Sequence, residues 1–169
     1  MGLRIERIPT LNDNYTYLVV CEATGDAAVI DAPEVDPVVS RVESEGARVT
    51  KLLTTHHHAD HCGANPALAK LYGVPVFGHI SDAHLIPGFT DGLEEGDTVQ
   101  VGQQSARILH VPAHTSGHVA YVFDEAKVRL TAGTNYGSRG EGHLRMGIAT
   151  SEVIIKEALD RITEALSKL

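Results

Sequence analysis

The sequence predicts a mixed α/β (α+β) fold in which two sheets are covered by helices. Three observations carry that expectation. Short β-branched and aromatic runs recur through the first 131 residues, each bounded by turn residues. A few segments of helical spacing are interleaved with them. The chain has 169 residues, enough for one domain with a real core.

Taken in order, residues 3–8 and 15–21 are strand-like runs separated by Leu11-Asn12-Asp13-Asn14, a turn-rich spacer, and read as a hairpin. Residues 27–30 form a third strand. Residues 35–45 carry Val35, Val38, Val39 and Val42 at helical spacing and stop at Gly46. Residues 49–54 are an apolar strand. Residues 66–72 read as a short helix with Pro66 at its start and Gly73 after its end. Residues 75–78 are a strand, and 79–96, rich in Gly, Pro and Asp, read as a long irregular loop. Strands follow at 98–101, 106–111, 119–123 and 128–131, then at 143–149. Residues 151–169 form the clearest helix, with Ile155, Ala158, Leu159, Ile162, Ala165, Leu166 and Leu169 on one stripe. Glu152–Lys156, Glu157–Arg161 and Glu164–Lys168 are acid-before-base pairs four apart, the favourable orientation.

Composition narrows the function. Charged side chains are 21% and the hydrophobic set 43%, an ordinary globular balance. A net charge of −8 argues against a nucleic-acid surface or a basic membrane patch. No apolar run is long enough to span a bilayer, and the N-terminus lacks the apolar core of a secretory signal. Two cysteines, Cys21 and Cys62, do not make a disulfide scaffold, so a cytoplasmic setting is expected. The charge is uneven: residues 1–133 hold nine basic and seventeen acidic side chains, and 134–169 hold five of each. The join falls in a Gly-rich stretch, 133–142, which reads as a loop.

Ten histidines are the unusual count. The strand at 49–54 runs into T-T-H-H-H-A-D-H, which holds His56, His58, Asp60 and His61. In extended backbone, side chains two apart point the same way, so His56 and His58 can face one ion while His57 points elsewhere. Asp60 and His61 follow as the chain turns and can face a second point. Imidazole and carboxylate suit zinc, with iron or manganese as alternatives. The second candidate is P-A-H-T-S-G-H, 112–118, which again follows a strand. There His114 supplies a third imidazole to the first ion, and His118 is read as a group behind the ligands or a satisfied histidine. His79, His84, His110 and His143 lack this placement and read as surface or core residues. Cys62 reads as a small buried filler.

With these motifs the chain resembles the metallo-β-lactamase fold and, within it, glyoxalase II (hydroxyacylglutathione hydrolase). The matching pieces are L-N-D-N-Y-T-Y-L near residue 14, A-A-V-I-D-A-P near residue 30, T-H-H-H-A-D-H-C-G-A-N at 55–65 and P-A-H-T-S-G-H at 112–118. The resemblance covers residues 3–132. It implies an αββα sandwich holding two metals, with His56, His58 and His114 on the first and Asp60 and His61 giving two of three ligands to the second. It also implies hydrolysis of a thioester or activated ester. A metal-bound hydroxide would be the nucleophile, and Asp60 would orient the attacking water or accept its proton.

The chain also departs from that pattern. The family carries G-D-T, whose Asp bridges both metals, where this chain has Ala132-Gly133-Thr134. Glycine cannot coordinate. The family's later histidine ligand and its helical glutathione-binding domain have no match before Leu169, and the setting of His143 does not fit that ligand. The expectation is therefore a single domain, 1–169, truncated at its C-terminal side, with one well-occupied zinc site and a weak second one. Activity should be reduced, and the alternative is a non-catalytic metal-binding scaffold. An iron persulfide dioxygenase of the same fold would need the Asp that Gly133 replaces. An uncovered sheet edge would favour a homodimer.

Residues 140–166 resemble something else, the C-terminal segment of class I pyridoxal-phosphate aminotransferases, with Arg145 matching the arginine that holds the substrate carboxylate. No cofactor lysine motif accompanies it, so transamination is rejected. The likeness and the charge break fit a fused or recombined gene, and a chance likeness of an amphipathic strand–helix unit fits as well.

Overall fold

The computed structural model describes residues 2–123 and two short paired segments beyond them, Thr131–Ala132 and Leu144–Arg145. The chain forms two compact units, 1–125 and 126–169. In the first, β1 (Leu3–Thr10) and β2 (Asn14–Cys21) form the expected hairpin, paired antiparallel from Leu3↔Cys21 to Thr10↔Asn14. β3 (Asp26–Ile30) adds antiparallel to β2. From there the sheet turns parallel: β4 (Arg48–Leu53) pairs with β3, β5 (Val76–His79) with β4, and β6 (Asp91–Leu93) with β5. The change of direction follows from the connections. Parallel neighbours need a crossover, and helices α1 (Asp36–Glu45) and α3 (Asn65–Tyr72) supply the first two. α1 ends at Gly46, whose φ of 58° is the left-handed conformation that stops a helix.

A second, antiparallel sheet of β7 (Thr98–Val101), β8 (Gln104–His110) and β9 (Val119–Phe123) completes the unit. Alternation along the larger sheet divides the core in two. Leu18, Val20, Val29 and Leu52 pack with Val38, Val42 and Leu68 of the helices. Val19, Ala28 and Leu53 face the other way, onto Val99, Val101, Ala106, Ile108 and Val119 of the smaller sheet. Because both faces of β2 and β3 are covered, residues 18–21 and 27–30 are continuous apolar runs rather than alternating ones. Helix, sheet, sheet is thus the order of layers within the described residues.

Two features depart from the sequence reading. The segment expected as an irregular loop, 79–96, contains a 3-10 turn, Ile80–Asp82, and the edge strand β6. A one-turn helix, α2 (Ala59–Cys62), follows the histidine run. In the second unit β10 (Thr131–Ala132) pairs antiparallel with β11 (Leu144–Arg145), within or beside the strands expected at 128–131 and 143–149. The rest of those strands, the helix at 151–169, Gly133 and most of the aminotransferase-like segment lie outside the described residues. No helix among the described residues is long and apolar enough to cross a membrane.

Candidate metal centre

The carboxyl ends of β3, β4, β5 and β8 deliver the polar side chains, as expected of sheets with parallel strands. β4 ends at Leu53, and the chain continues extended through Thr54 to His58, whose backbone (φ −65°, ψ 141°) then caps α2. The alternation inferred from the sequence holds here. One ligand nitrogen from each of His56, His58 and His114 lies within 4.8 Å of the others, while His57 turns away to Asp82, Nδ1 to Oδ2 2.8 Å. His114 arrives on the turn after β8, with its Nε2 3.1 Å from Nδ1 of His58. Two nitrogens about 2.0–2.1 Å from one tetrahedral zinc stand roughly 3.3 Å apart, so this pair is already spaced as ligands.

His56 supplies the sharpest sign. Its side chain is buried, and its Nε2 has no hydrogen-bond partner among the described residues. Its Nδ1 lies 3.0 Å from Thr55 Oγ1, and that hydroxyl donates its single proton to Asp31 Oδ2 at 2.7 Å. His56 Nδ1 must therefore donate to Thr55, which leaves Nε2 as a bare lone pair. A buried polar atom without a partner costs about 1–3 kcal/mol, a cost that a bound cation removes. Burial, reinforced by the neighbouring His61, pushes the His56 imidazole down to about 3. Burial and His114 also lower His58. Both are neutral near pH 7, the state that binds a metal. The residues present fit a divalent metal.

Asp60 and His61 stand beside this group. His61 Nδ1 donates to Asp31 Oδ2 at 3.0 Å, and its Nε2 lies 3.5 Å from Asp60 Oδ2. Its ring centroid is 4.1 Å from that of His56. Burial disfavours a proton on His61, but the bond to Asp31 outweighs it and the pKa is raised. Asp60 is exposed and is held by Asn14, whose Nδ2 donates to the Asp60 carbonyl at 2.8 Å and to its Oδ2 at 3.0 Å. Burial works against ionising Asp60, yet the Asn14 bond and His61 bring it below its ordinary value. His118 places its ring centroid 4.7 Å from that of His56 and 5.9 Å from that of His114. Cys62 is buried with its thiol directed at the carbonyls of His57 and His58, and burial raises it to about 11. It is a filler beneath the loop. His79 is buried and stacks on His110, centroids 4.0 Å apart.

Three residues bonded to the side chains of the histidine run were not singled out from the sequence. Asp31 follows β3 with φ 55°, a left-handed conformation that Asp tolerates. It accepts from Thr55 N at 2.8 Å as well as from Thr55 Oγ1 and His61. One carboxylate thus orients two imidazoles, the usual way ligand histidines are held. Asn14 and Asp82 are the others. Their signal lay in short motifs whose partners are 46 and 25 residues away, which no local pattern shows.

Residues 10–144 match the family model of the metallo-beta-lactamase superfamily. A hydroxyacylglutathione hydrolase of Rhodospirillum rubrum is 44% identical over 147 residues, which cover 87% of this chain and 57% of that protein. The chain therefore spans little more than half the length of such relatives. Among solved structures, ETHE1 from Myxococcus xanthus is 30% identical with a TM-score of 0.61, covering 73% of this chain and 54% of that one. The BLEG-1 B3 metallo-beta-lactamase superposes with a TM-score of 0.66 at 20% identity over 74% of this chain and 69% of that one, a likeness of fold alone. A sandwich with a bare, buried imidazole nitrogen at the head of an H-x-H-x-D-H loop, matched to the family over most of its length, places this chain in the metallo-beta-lactamase superfamily.

Proposed function

We propose that the chain is a metal-dependent hydrolase of a thioester or activated ester, similar in chemistry to the hydroxyacylglutathione hydrolases it resembles. The unpartnered, buried Nε2 of His56 within reach of His58 and His114 carries the reading. Three imidazoles leave a fourth position open, the arrangement of catalytic rather than structural zinc sites. When bound, the metal supplies a Lewis acid that acidifies water and polarises a carbonyl. His56, His58 and His114 would hold it. Asp31, through Thr55, keeps the His56 lone pair aimed inward. Asp60, ionised and fixed by Asn14, would orient a water or take its proton. Asp60 and His61 would give two ligands to a second, weaker ion, because Gly133 stands where the family's bridging carboxylate does. We place the activity on a small acyl thioester; zinc is the favoured ion, and the setting we propose is cytoplasmic.

The test is metal content and turnover together. Protein purified without added metal should hold about one ion per chain, lost in His114→Ala and retained in His61→Ala. Hydrolysis of an acyl-glutathione thioester should require that ion and stop on chelation. A stoichiometric ion with no turnover on thioesters or esters would sink the hydrolase reading. It would leave the non-catalytic scaffold, which Gly133 favours.

A further inference from the structure

Asp82 lies in the 3-10 turn after β5 and is fully buried, at 0% exposure. Its Oδ2 accepts the 2.8 Å bond from His57 Nδ1. Its carboxylate takes longer contacts from Thr115 Oγ1 at 3.5 Å and Ser116 Oγ at 3.4 Å. Those donors come from two different loops. His57 sits between His56 and His58, while Thr115 and Ser116 follow His114 directly. Gly117 completes the contact, because a Cβ there would overlap the Asp82 carboxyl group. The absence of a side chain at 117 lets the second loop close onto the carboxylate. A buried carboxylate is stable only when paired and hydrogen-bonded, so it holds its donors firmly. Neither Asp82 nor His57 belongs to the three-imidazole group.

We infer that Asp82 is a positioning residue for the metal centre. Acting through His57 on one loop and through Thr115, Ser116 and Gly117 on the other, it sets the separation of the His56–His58 pair from His114. His57 is thereby given a purpose: it is the handle by which the loop between two ligands is held. The inference rests on the three imidazoles taking up a metal.

Zinc affinity of the full chain, measured by competition with a chromogenic chelator, tests it, with the absorption spectrum of the cobalt(II)-loaded protein as a second readout. His57→Phe keeps a ring at a partly exposed position and removes only the donor. It should leave the stoichiometry unchanged, weaken zinc by about 10–100-fold, the usual loss when a partner behind a ligand is removed, and shift the cobalt bands. Asp82→Ala should cost as much. The double variant should lose no more than the worse single one, because both remove the same link. Asp82→Asn, whose carbonyl still accepts from His57 Nδ1, should recover most of the affinity. Zinc binding by His57→Phe within twofold of wild type, or losses that multiply in the double variant, would overturn the inference. His57→Phe decides the point alone if Asp82→Ala does not fold. Failure of the wild-type chain to bind zinc is a separate result: it removes the metal centre itself, and this inference with it.

Discussion

Asn14 shows how much one side chain can fix at a distance. It ends the β1–β2 turn, yet its amide grips both the carbonyl and the carboxylate of Asp60. Asn14→Ala should release that carboxylate and lower thioester turnover by about tenfold while zinc affinity at the three-imidazole group stays unchanged. Equal loss of both would show that Asn14 supports the whole loop instead. Asp31→Ala should behave differently, because it frees Thr55 and His61 together. Zinc affinity should fall by about 10–100-fold, read by chelator competition. At this scale the sequence was half legible. His56 and His58 could be read because a period of two is a local property of an extended chain. Asp31, Asn14 and Asp82 could not, because an aspartate or asparagine beside a turn looks the same whether it bonds to water or to a loop 25 residues away.

At the scale of elements, legibility followed length. β1 to β5 and the helices α1 and α3 carried alternation or helical spacing over enough residues to declare themselves. β6 has three residues and pairs with β5 alone among the described strands, so it has no pattern to display. α2 is a single turn, shorter than a helical period can reveal. α3 matters beyond its size because it lies directly after the ligand loop, and Leu68 anchors it with no exposed surface. Leu68→Ala should destabilise the fold by about 2–5 kcal/mol, the usual range for a fully buried leucine, measured by urea unfolding of the metal-free protein. A loss under about 1 kcal/mol would mean that the helix settles into the space left behind.

At the largest scale, the layered sandwich of the first unit was legible because strand-like runs recur with segments of helical spacing interleaved among them. The acid response is also a property of the whole fold. His56 takes up a proton in an unfolded chain near 6.5 but in the folded chain only at about 3. Between those values the unfolded state binds more protons, so acid weakens the metal-free fold. His61 acts with the opposite sign. Its raised pKa adds stability below its unfolded value, which is lost as the pH rises through the folded one. Depressed carboxylates such as Asp60 and Asp82 add their loss only as the pH falls further, through their own folded values. Metal-free protein should therefore lose stability between pH 6.5 and 4, by on the order of 3 kcal/mol at most. His56→Gln should flatten that slope in thermal melts taken across the interval. An unchanged slope would assign it to other groups.

The three imidazoles also differ in when they are made. His56 and His58 leave the ribosome well before His114, which arrives on a different sheet after α3 and four more strands, β5 to β8, have been laid down. A growing chain offers an ion only the histidine run itself, without the imidazole that closes the group. Capture by all three nitrogens would have to wait for β8, so a metal would meet the group only after the larger sheet and its helices have been made.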